Sequence, residues 1–180
     1  MRLEPLAEKH FEALARAAAD PEVWRWMTVD ASERDAFRAW FDEALGDAGR
    51  IPYAMLDAAS GKPAGSSSFL SLVAEHRRVE IGHTWVERSH WSSGANAEAK
   101  LLMLEYAFGP MAMRRVEFKT DALNERSRRA LEALPARFEG THRQHMLVRG
   151  GENRDSAWYS VVDAEWPAVR ANLLRRLKRS

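Results

Sequence analysis

The amino-acid sequence predicts a mixed α/β domain in which helices flank one twisted, mostly antiparallel sheet of about seven strands. The spacing of apolar residues switches between the helical and the strand period along the 180 residues. The segments run in the order strand, two helices, three strands, helix, strand, helix, two strands, helix. A strand–helix–strand crossover is expected only in the second half. The length is close to that of one domain, so we expect residues 1–180 to form one.

The first third of the chain is predicted to be mainly helical. A short strand covers 2–6, and helices cover 9–19 and 32–45, where apolar residues recur at three- and four-residue spacing. Between these helices, Asp20 followed by proline is typical of the start of a helical turn. Ser32 is the expected N-cap of the second helix.

The remaining elements alternate between strand and helix patterns. Glycine at 61 and the pair at 150 and 151 mark turns between strands. The predicted strands cover 52–57, 64–72, 77–86, 115–120, 137–148 and 155–162, and the predicted helices cover 96–108, 124–134 and 166–177.

Composition excludes several classes of protein. The formal net charge of +1 is unlike that of a basic nucleic-acid-binding domain, and we expect no nucleic-acid partner. The absence of cysteine excludes disulfides and thiolate chemistry. No apolar run is long enough to cross a bilayer, so we expect a soluble, cytoplasmic protein without a membrane partner.

Histidine and glycine patterns also argue against three common kinds of active site. His142 and His145 are three residues apart on a predicted strand, which places them on opposite faces, and we expect no metal. The motifs of zinc hydrolases, serine hydrolases and P-loop proteins do not occur.

Charge is distributed unevenly along the chain. Residues 1–60 carry 7 basic and 12 acidic side chains, a net charge of −5, and residues 121–180 carry 12 and 8, a net charge of +4. An acidic side suits a cationic substrate, and a basic side suits a phosphate-bearing ligand. Chance unevenness in a short chain explains the same pattern equally well.

Three segments are candidates for chemistry. A loop rich in serine and glycine enters the helix at Asn96, where free backbone N–H groups favour an anion, although such a loop is more often only a turn. Glu80 precedes Gly82 in a strand, so its carboxylate is either a general base beside a bulge or an exposed group paired with arginine. Asn124 and Ser127 fit a helix cap without further function.

The order of these segments resembles the GNAT superfamily of acyl-CoA-dependent N-acetyltransferases, and within it the branch of the ribosomal-protein N-terminal acetyltransferases. The likeness runs along nearly the whole chain. The segments that carry it are 20–24 (Asp-Pro-Glu-Val-Trp), 78–82 (Arg-Val-Glu-Ile-Gly), 94–100 (Gly-Ala-Asn-Ala-Glu-Ala-Lys), 115–127 (Arg-Val-Glu-Phe-Lys-Thr-Asp-Ala-Leu-Asn-Glu-Arg-Ser) and 163–166.

The resemblance implies that acetyl-CoA lies between two splayed central strands and that a primary amine, from a protein N-terminus or a small molecule, attacks it directly in a ternary complex. Glu80 would be the base, and Ser127 would donate a proton to the leaving thiolate. Dimers are common among similar proteins, which allows for a homodimer here. The cofactor-binding residues would be Thr84, Trp85, Val86, Ser92, Ser93, Gly94, Ala95, Asn96, Asn124, Arg126 and Arg129, and the acceptor would meet Trp24, Trp26 and Met27.

Two positions depart from the family pattern. Trp91 stands where relatives have a phosphate-binding arginine or glutamine, and Arg88 is a candidate to compensate. Pro135 stands where relatives have a left-handed glycine after a helix, so we expect that helix to end early and Leu134 to leave helical geometry. These departures support an alternative, a GNAT-fold binding or regulatory module that turns over little or no acetyl-CoA. A weaker alternative is an RNA-associated protein that uses the basic tail 175–179.

Overall fold

The computed structural model describes residues 1–178 and, within them, a seven-stranded sheet flanked by helices, which confirms the predicted fold class. The strands are β1 Arg2–Pro5, β2 Arg50–Leu56, β3 Pro63–Val73, β4 Arg78–Val86, β5 Arg115–Asp121, β6 Arg137–Val148 and β7 Glu152–Val162. The helices are α1 Phe11–Ala17, α2 Arg34–Gly46, α3 Ala95–Phe108, α4 Glu125–Ala133 and α5 Trp166–Leu177. Arg179, in the basic tail, lies outside the described residues.

The sheet has the strand order β1-β2-β3-β4-β5-β7-β6. Neighbouring strands are antiparallel, except that β4 and β5 are parallel because α3 carries the chain back across the sheet. No helix within residues 1–178 is long and apolar enough to cross a membrane.

The pairing of β4 with β5 is short. It covers three residues of each strand and ends where Glu80 lies opposite Glu117. Beyond that point β4 remains paired with β3 as far as Val86, while β5 remains paired with β7 as far as Asp121. The two central strands therefore separate, and their facing edges open into a gap.

The two faces of the sheet are covered by different helices. On one face, Val79 and Ile81 of β4 pack with Phe118 of β5 against Leu104 of α3 and Leu173 of α5. Fully burying such a side chain stabilises the fold by about 1.5–3 kcal/mol. Because side chains alternate along a strand, Glu80 must point to the opposite face.

On that opposite face, α1 and α2 build an aromatic core. The ring of Phe37 packs 5.4 Å from that of Trp40 and 6.0 Å from that of Trp85 of β4. The prediction that Trp40 belongs to the core is confirmed.

Helix starts agree only in part with the predicted caps. Asp20 Oδ1 accepts a hydrogen bond from the Glu22 backbone N–H at 2.9 Å, which confirms the predicted cap. The prediction that Ser32 caps the second helix was wrong, because α2 begins at Arg34 with Glu33 in the N-cap position. The Ser32 backbone N–H instead donates to Asp30 Oδ1 at 3.0 Å, which continues the turn before the helix.

The turn after α4 is the other local difference. The helix ends at Ala133, one residue before the predicted end, but Leu134 keeps helical geometry with φ −77° and ψ −3°, contrary to expectation. Pro135 has φ 28°, far from the value near −65° that its ring favours, so this position is strained. The Ala136 N–H donates to the Leu131 carbonyl at 3.0 Å and closes the turn.

We expect Gly65→Ala to destabilise the fold by about 2 kcal/mol or more. A Cβ on Gly65 would lie 2.3 Å from the Trp85 carbonyl oxygen and 2.9 Å from the Val86 Cα, so β3 and β4 would have to move apart. Gly46→Ala is the matched control: a Cβ added to Gly46 would meet no heavy atom within 4 Å, and alanine in a helix is favoured. Urea unfolding of both variants checks this, and equal stabilities would contradict it.

Candidate active site

A cavity of about 530 Å³ occupies the gap between β4 and β5. Its walls include residues from both central strands, from the turn before α3, from the start of α4 and from the loop after Val23. Of the residues predicted for the site, the structure brings together Glu80, Thr84, Trp85, Val86, Ser92, Gly94, Asn96, Asn124, Arg126, Ser127, Trp26 and Met27.

Trp24 was predicted to contact the acceptor, but the structure places it in the core. Its side chain is fully buried, and its indole N–H donates to the Ala18 carbonyl at 2.8 Å. The ring packs 5.6 Å from Trp40 and 5.4 Å from Trp85. Its neighbours Trp26 and Met27 remain on the cavity wall.

Three predicted cofactor-binding residues also lie outside the cavity wall. Arg129 is exposed and forms an ion pair with Glu125 one helical turn earlier. Ser93 Oγ donates to the His90 carbonyl at 2.7 Å and accepts from the Ala95 N–H at 3.3 Å. Ser93 and Ala95 therefore shape the turn before α3 rather than line the cavity.

Glu80 lies where the pairing of the central strands ends and is only 2% exposed. Its Oε2 accepts a hydrogen bond from Lys119 Nζ at 3.1 Å. Burial raises the pKa of Glu80 despite the opposing effect of the nearby Lys119 charge. Gly82 leaves room for this carboxylate, because a Cβ there would lie 2.9 Å from Glu80 Oε1. The alternative of an exposed strand carboxylate paired with arginine is wrong.

The turn before α3 is suited to an anion. Ser92 has φ 62°, and Gly94, the N-cap, has φ 88°, so two left-handed residues shape the turn. The N-cap residue has no side chain to cap α3, and Ser93 Oγ takes only the Ala95 N–H, so the next N–H groups of the first turn remain available to a ligand. The Asn96 side-chain oxygen is buried without a partner within residues 1–178.

Trp91 and Arg126 form a stacked pair beside this turn. The Arg126 guanidinium lies 3.5 Å from the ring centroid of Trp91, whose indole N–H donates to the Val86 carbonyl at 2.9 Å. Arg126 from α4 is thereby held beside the turn before α3. Arg88 pairs instead with Asp20 at 3.1 Å. Arg126, rather than Arg88, is therefore the cation that stacks closely on Trp91 and lines the cavity beside this turn.

The start of α4 supplies the third wall. Asn124 Oδ1 accepts from the Ser127 N–H at 3.1 Å, so the predicted N-cap is confirmed. The Asn124 amide N–H₂ and the Ser127 hydroxyl are not used in this cap, and both residues line the cavity.

Lys100 is a cavity residue that the sequence reasoning missed. Its Nζ donates to Thr84 Oγ1 at 2.7 Å, and Thr84 Oγ1 lies 2.7 Å from Ser67 Oγ. Burial lowers the pKa of Lys100 to about 7, against the opposing effect of Glu80. Its position three residues after Ala97 and four before Leu104 was the available signal, since it places a lysine on the buried stripe of α3.

The two histidines of β6 lie together instead of on opposite faces. The rings of His142 and His145 are 5.6 Å apart, and both pack near Trp158. The pairing of β6 with β7 shifts register between His142 and Met146, and Gln144 has φ 50°, so strand alternation fails there. Within residues 1–178 no group of three or more His, Asp or Glu side chains could hold a metal ion.

This arrangement agrees with comparisons to known proteins. The family model of the acetyltransferase (GNAT) domain matches residues 1–137, so the chain belongs to the GNAT family of acetyltransferases. The family uses acetyl-CoA.

Individual relatives point the same way. An uncharacterized N-acetyltransferase, p20 of Bacillus licheniformis, is 28% identical over 145 residues, 77% of this chain and 80% of that protein. A GCN5-related N-acetyltransferase from Brucella melitensis is 35% identical with a TM-score of 0.91, over 98% of this chain and 81% of that chain. A spermidine N-acetyltransferase from Vibrio cholerae, solved with CoA and spermine, shares the fold alone. It is 12% identical with a TM-score of 0.74, over 92% of this chain and 97% of that chain.

Lys100 should leave a pH signature in stability. Its pKa is about 7 in the folded protein and about 10.4 in an unfolded chain. Between these values the unfolded chain binds the extra proton, so the free energy of unfolding should rise with pH, by at most about 1.4 kcal/mol per unit. The cost of burying Lys100 is thus fully present below pH 7 and is lost toward pH 10.

Urea unfolding from pH 7 to 9 measures this effect. Lys100→Met should lack this part of the slope, while Lys62→Met, at an exposed turn, should keep it. If the stabilities of wild type and Lys100→Met run parallel with pH, Lys100 does not titrate as stated.

Proposed function

We propose that the protein transfers an acetyl group from acetyl-CoA to a primary amine, by direct attack of the amine in a ternary complex, and that residues 1–180 form one such domain. The observation that carries the proposal is the position of Glu80, a buried carboxylate at the closed end of the gap between β4 and β5. The anion-suited turn before α3 lines the same cavity. Membership of the GNAT family supports both assignments.

The residues present fit acetyl-CoA. Those backbone N–H groups of the turn at 92–96 and of the first turn of α3 that are not already bonded would hold the diphosphate, with Arg126 adding positive charge. The edge of β4 at Thr84, Trp85 and Val86 faces the gap and would pair with the amide-containing arm, since no strand within residues 1–178 pairs with it on that side. Asn124 would add an amide donor.

Acetyl-CoA supplies the activated thioester, and the chain supplies proton transfer and orientation. Glu80 would take a proton from the acceptor amine, and its raised pKa suits that role better than an ordinary carboxylate would. Ser127 is proposed as the proton donor to the departing thiolate. Lys100 is a second candidate for that role, because a buried ammonium with a pKa of about 7 is a much stronger acid than a hydroxyl.

The acceptor would enter on the Glu80 side, past Trp26 and Met27. Their loop is fixed in place by Arg149 at the β6–β7 turn, which donates from Nη1 to the Met27 carbonyl at 2.9 Å and from its backbone N–H to the Thr28 carbonyl at 3.0 Å. We propose a protein N-terminus, as in the ribosomal-protein branch, or a small amine as the acceptor. A cytoplasmic location and a homodimer stay as proposals.

The alternative, a binding or regulatory module of the same fold, rests on Trp91 in place of the phosphate-binding residue. The stacked Arg126 weakens that alternative, because it brings a guanidinium to the same turn.

We expect acetyl-CoA to stabilise the protein against heat, by about 2.7 kcal/mol at 100 times the dissociation constant. Arg126→Met should weaken binding roughly tenfold through loss of one charge-assisted contact. Arg129→Met, on the same helix but outside the cavity, should bind like wild type. Thermal shift and titration calorimetry measure both, and the absence of any shift at millimolar acetyl-CoA would remove the proposed function.

We expect Glu80→Gln to lower turnover about a hundredfold or more while acetyl-CoA still binds, since a positioned base contributes on the order of 10²–10⁴ in rate. Wild-type activity should rise with pH through the raised Glu80 pKa, because only the ionised carboxylate accepts a proton, and this limb should vanish in the variant.

Controls separate the two assigned roles. Glu75→Gln, at an exposed carboxylate in the β3–β4 turn, should leave turnover unchanged. Ser127→Ala should lower turnover with unchanged binding, and a larger loss in Lys100→Met than in Ser127→Ala would transfer the donor role to Lys100. Release of CoA thiol gives the rates, and wild-type turnover in Glu80→Gln would contradict the base assignment.

A further inference from the structure

Arg154 of β7 is a buried cation that lines the cavity and has no hydrogen-bond or ion-pair partner within residues 1–178. The residue is 6% exposed, and its Nε is buried without a hydrogen bond. Within residues 1–178 its guanidinium forms no hydrogen bond and no ion pair with any carboxylate. A buried guanidinium is costly unless something satisfies it, so an anionic ligand is the natural missing partner.

Register places Arg154 on the same face as Glu80. Arg154 and Trp158 are four residues apart on β7, so their side chains share a face. Trp158 lies opposite Lys119 on β5, and Lys119 is hydrogen-bonded to Glu80. Both Arg154 and Glu80 line the cavity.

The nearby carboxylates are already engaged. Glu80 accepts from Lys119 at 3.1 Å, and Asp121 lies 3.8 Å from Arg149 and accepts the Leu123 N–H at 2.9 Å. Asp121 and Glu80 attract Arg154 only at longer range.

His83 lies close enough to Arg154 to be affected by its positive charge. It lines the cavity, and its pKa is lowered to about 4 by burial together with the charges of Arg50, Lys119 and Arg154. His83 is therefore neutral near pH 7 and adds no positive charge of its own. At the acceptor end of the cavity, Arg154 is thus the cation that no ion pair neutralises within residues 1–178.

We propose that Arg154 binds a carboxylate of the acceptor, so that the substrate is an amine that carries its own carboxylate group. This inference rests on the proposed acetyl transfer and narrows its acceptor. The amine nitrogen lies at Glu80 and the carboxylate at Arg154, whose planar fork matches the two carboxylate oxygens. A polyamine is the opposite case, because it would bring additional positive charge to Arg154.

Two sources offer this chemistry: a free amino acid, and a peptide N-terminus with an acidic side chain close behind it. Matched acceptors distinguish them. Alanine is compared with alaninamide, and the C-terminally amidated dipeptide Ala-Asp with Ala-Asn, in the presence of acetyl-CoA. Spermidine serves as the cationic acceptor.

We expect kcat/KM for the acid of at least one pair to exceed that for its amide by roughly tenfold to a hundredfold, the range for a hydrogen-bonded charge. Removal of the carboxylate lowers the pKa of an amine, so the free-amine fraction alone would favour the amide, and the expected preference must come from binding. Equal or higher kcat/KM for both amides, or for spermidine, would overturn the proposal.

Variants assign the effect to Arg154. Arg154→Met should bring the acid-to-amide ratio close to one, and Arg154→Lys should keep only part of it, because lysine retains the charge but not the fork. Arg143→Met, the same change at an exposed position of β6, should keep the wild-type ratio. A wild-type ratio in Arg154→Met would overturn the proposal.

Stability and binding give readouts that do not depend on turnover. Because Arg154 is buried without a partner, Arg154→Met should unfold at the same or a higher temperature than wild type, and marked destabilisation would show a structural role instead. N-acetylalanine, but not N-acetylalaninamide, should raise the melting temperature of wild type in the presence of CoA.

The outcomes separate the two hypotheses. If acetyl-CoA does not bind, the proposed function fails. A rise in melting temperature with N-acetylalanine alone would then still support the carboxylate subsite, and the absence of a rise would overturn it. If acetyl-CoA binds and amides are used as well as acids, only the carboxylate inference fails.

Discussion

The parallel pairing of β4 with β5 ends after Glu80 and Glu117, and the architecture of the site depends on that ending. Were the pairing to continue, the backbone edges of β4 and β5 would satisfy each other and close the cavity. Because it stops, each strand is held by its outer neighbour alone, and polar backbone faces an open gap. The same point places Glu80 at the closed end of that gap.

Several buried charged side chains lie around the cavity that this gap forms. Glu80, Lys100 and Arg154 are each more than nine-tenths buried, and burial opposes the charged form of each. Only Glu80 has an oppositely charged neighbour within ion-pair distance among residues 1–178. Such groups lower stability, so their shared location around one cavity is more consistent with a role in binding or proton transfer than with a role in folding.

Much of the fold could be predicted from the sequence, because apolar residues recur at the helical or the strand period in most elements. The α5 bounds and the seven strands follow from apolar spacing, and Asp20 and Asn124 act as the caps their side chains suggest. Competition between neighbouring polar side chains for backbone groups was harder to predict. The Asp30 carboxylate accepts the Ser32 backbone N–H, which extends the preceding turn, and α2 begins only at Arg34.

The site could be predicted in outline only. Segments around Glu80, Gly94 and Asn124 were found by their order, but which side chains line the cavity depends on tertiary packing. Trp24 and Trp26 differ by two residues, yet only one faces the cavity, because an irregular loop has no period to count. Arg154 gave no local signal, since its lack of a partner is visible only once every neighbouring carboxylate has been placed.

The stack of Arg126 on Trp91 joins two elements that are distant in sequence, the turn before α3 and the first turn of α4. A consequence is that a change at either position alters the surroundings of the other. An arginine at position 91 would set two guanidinium groups against each other and would remove the ring on which Arg126 rests. Arginine at position 91 would therefore be compatible with this packing only if position 126 changed with it.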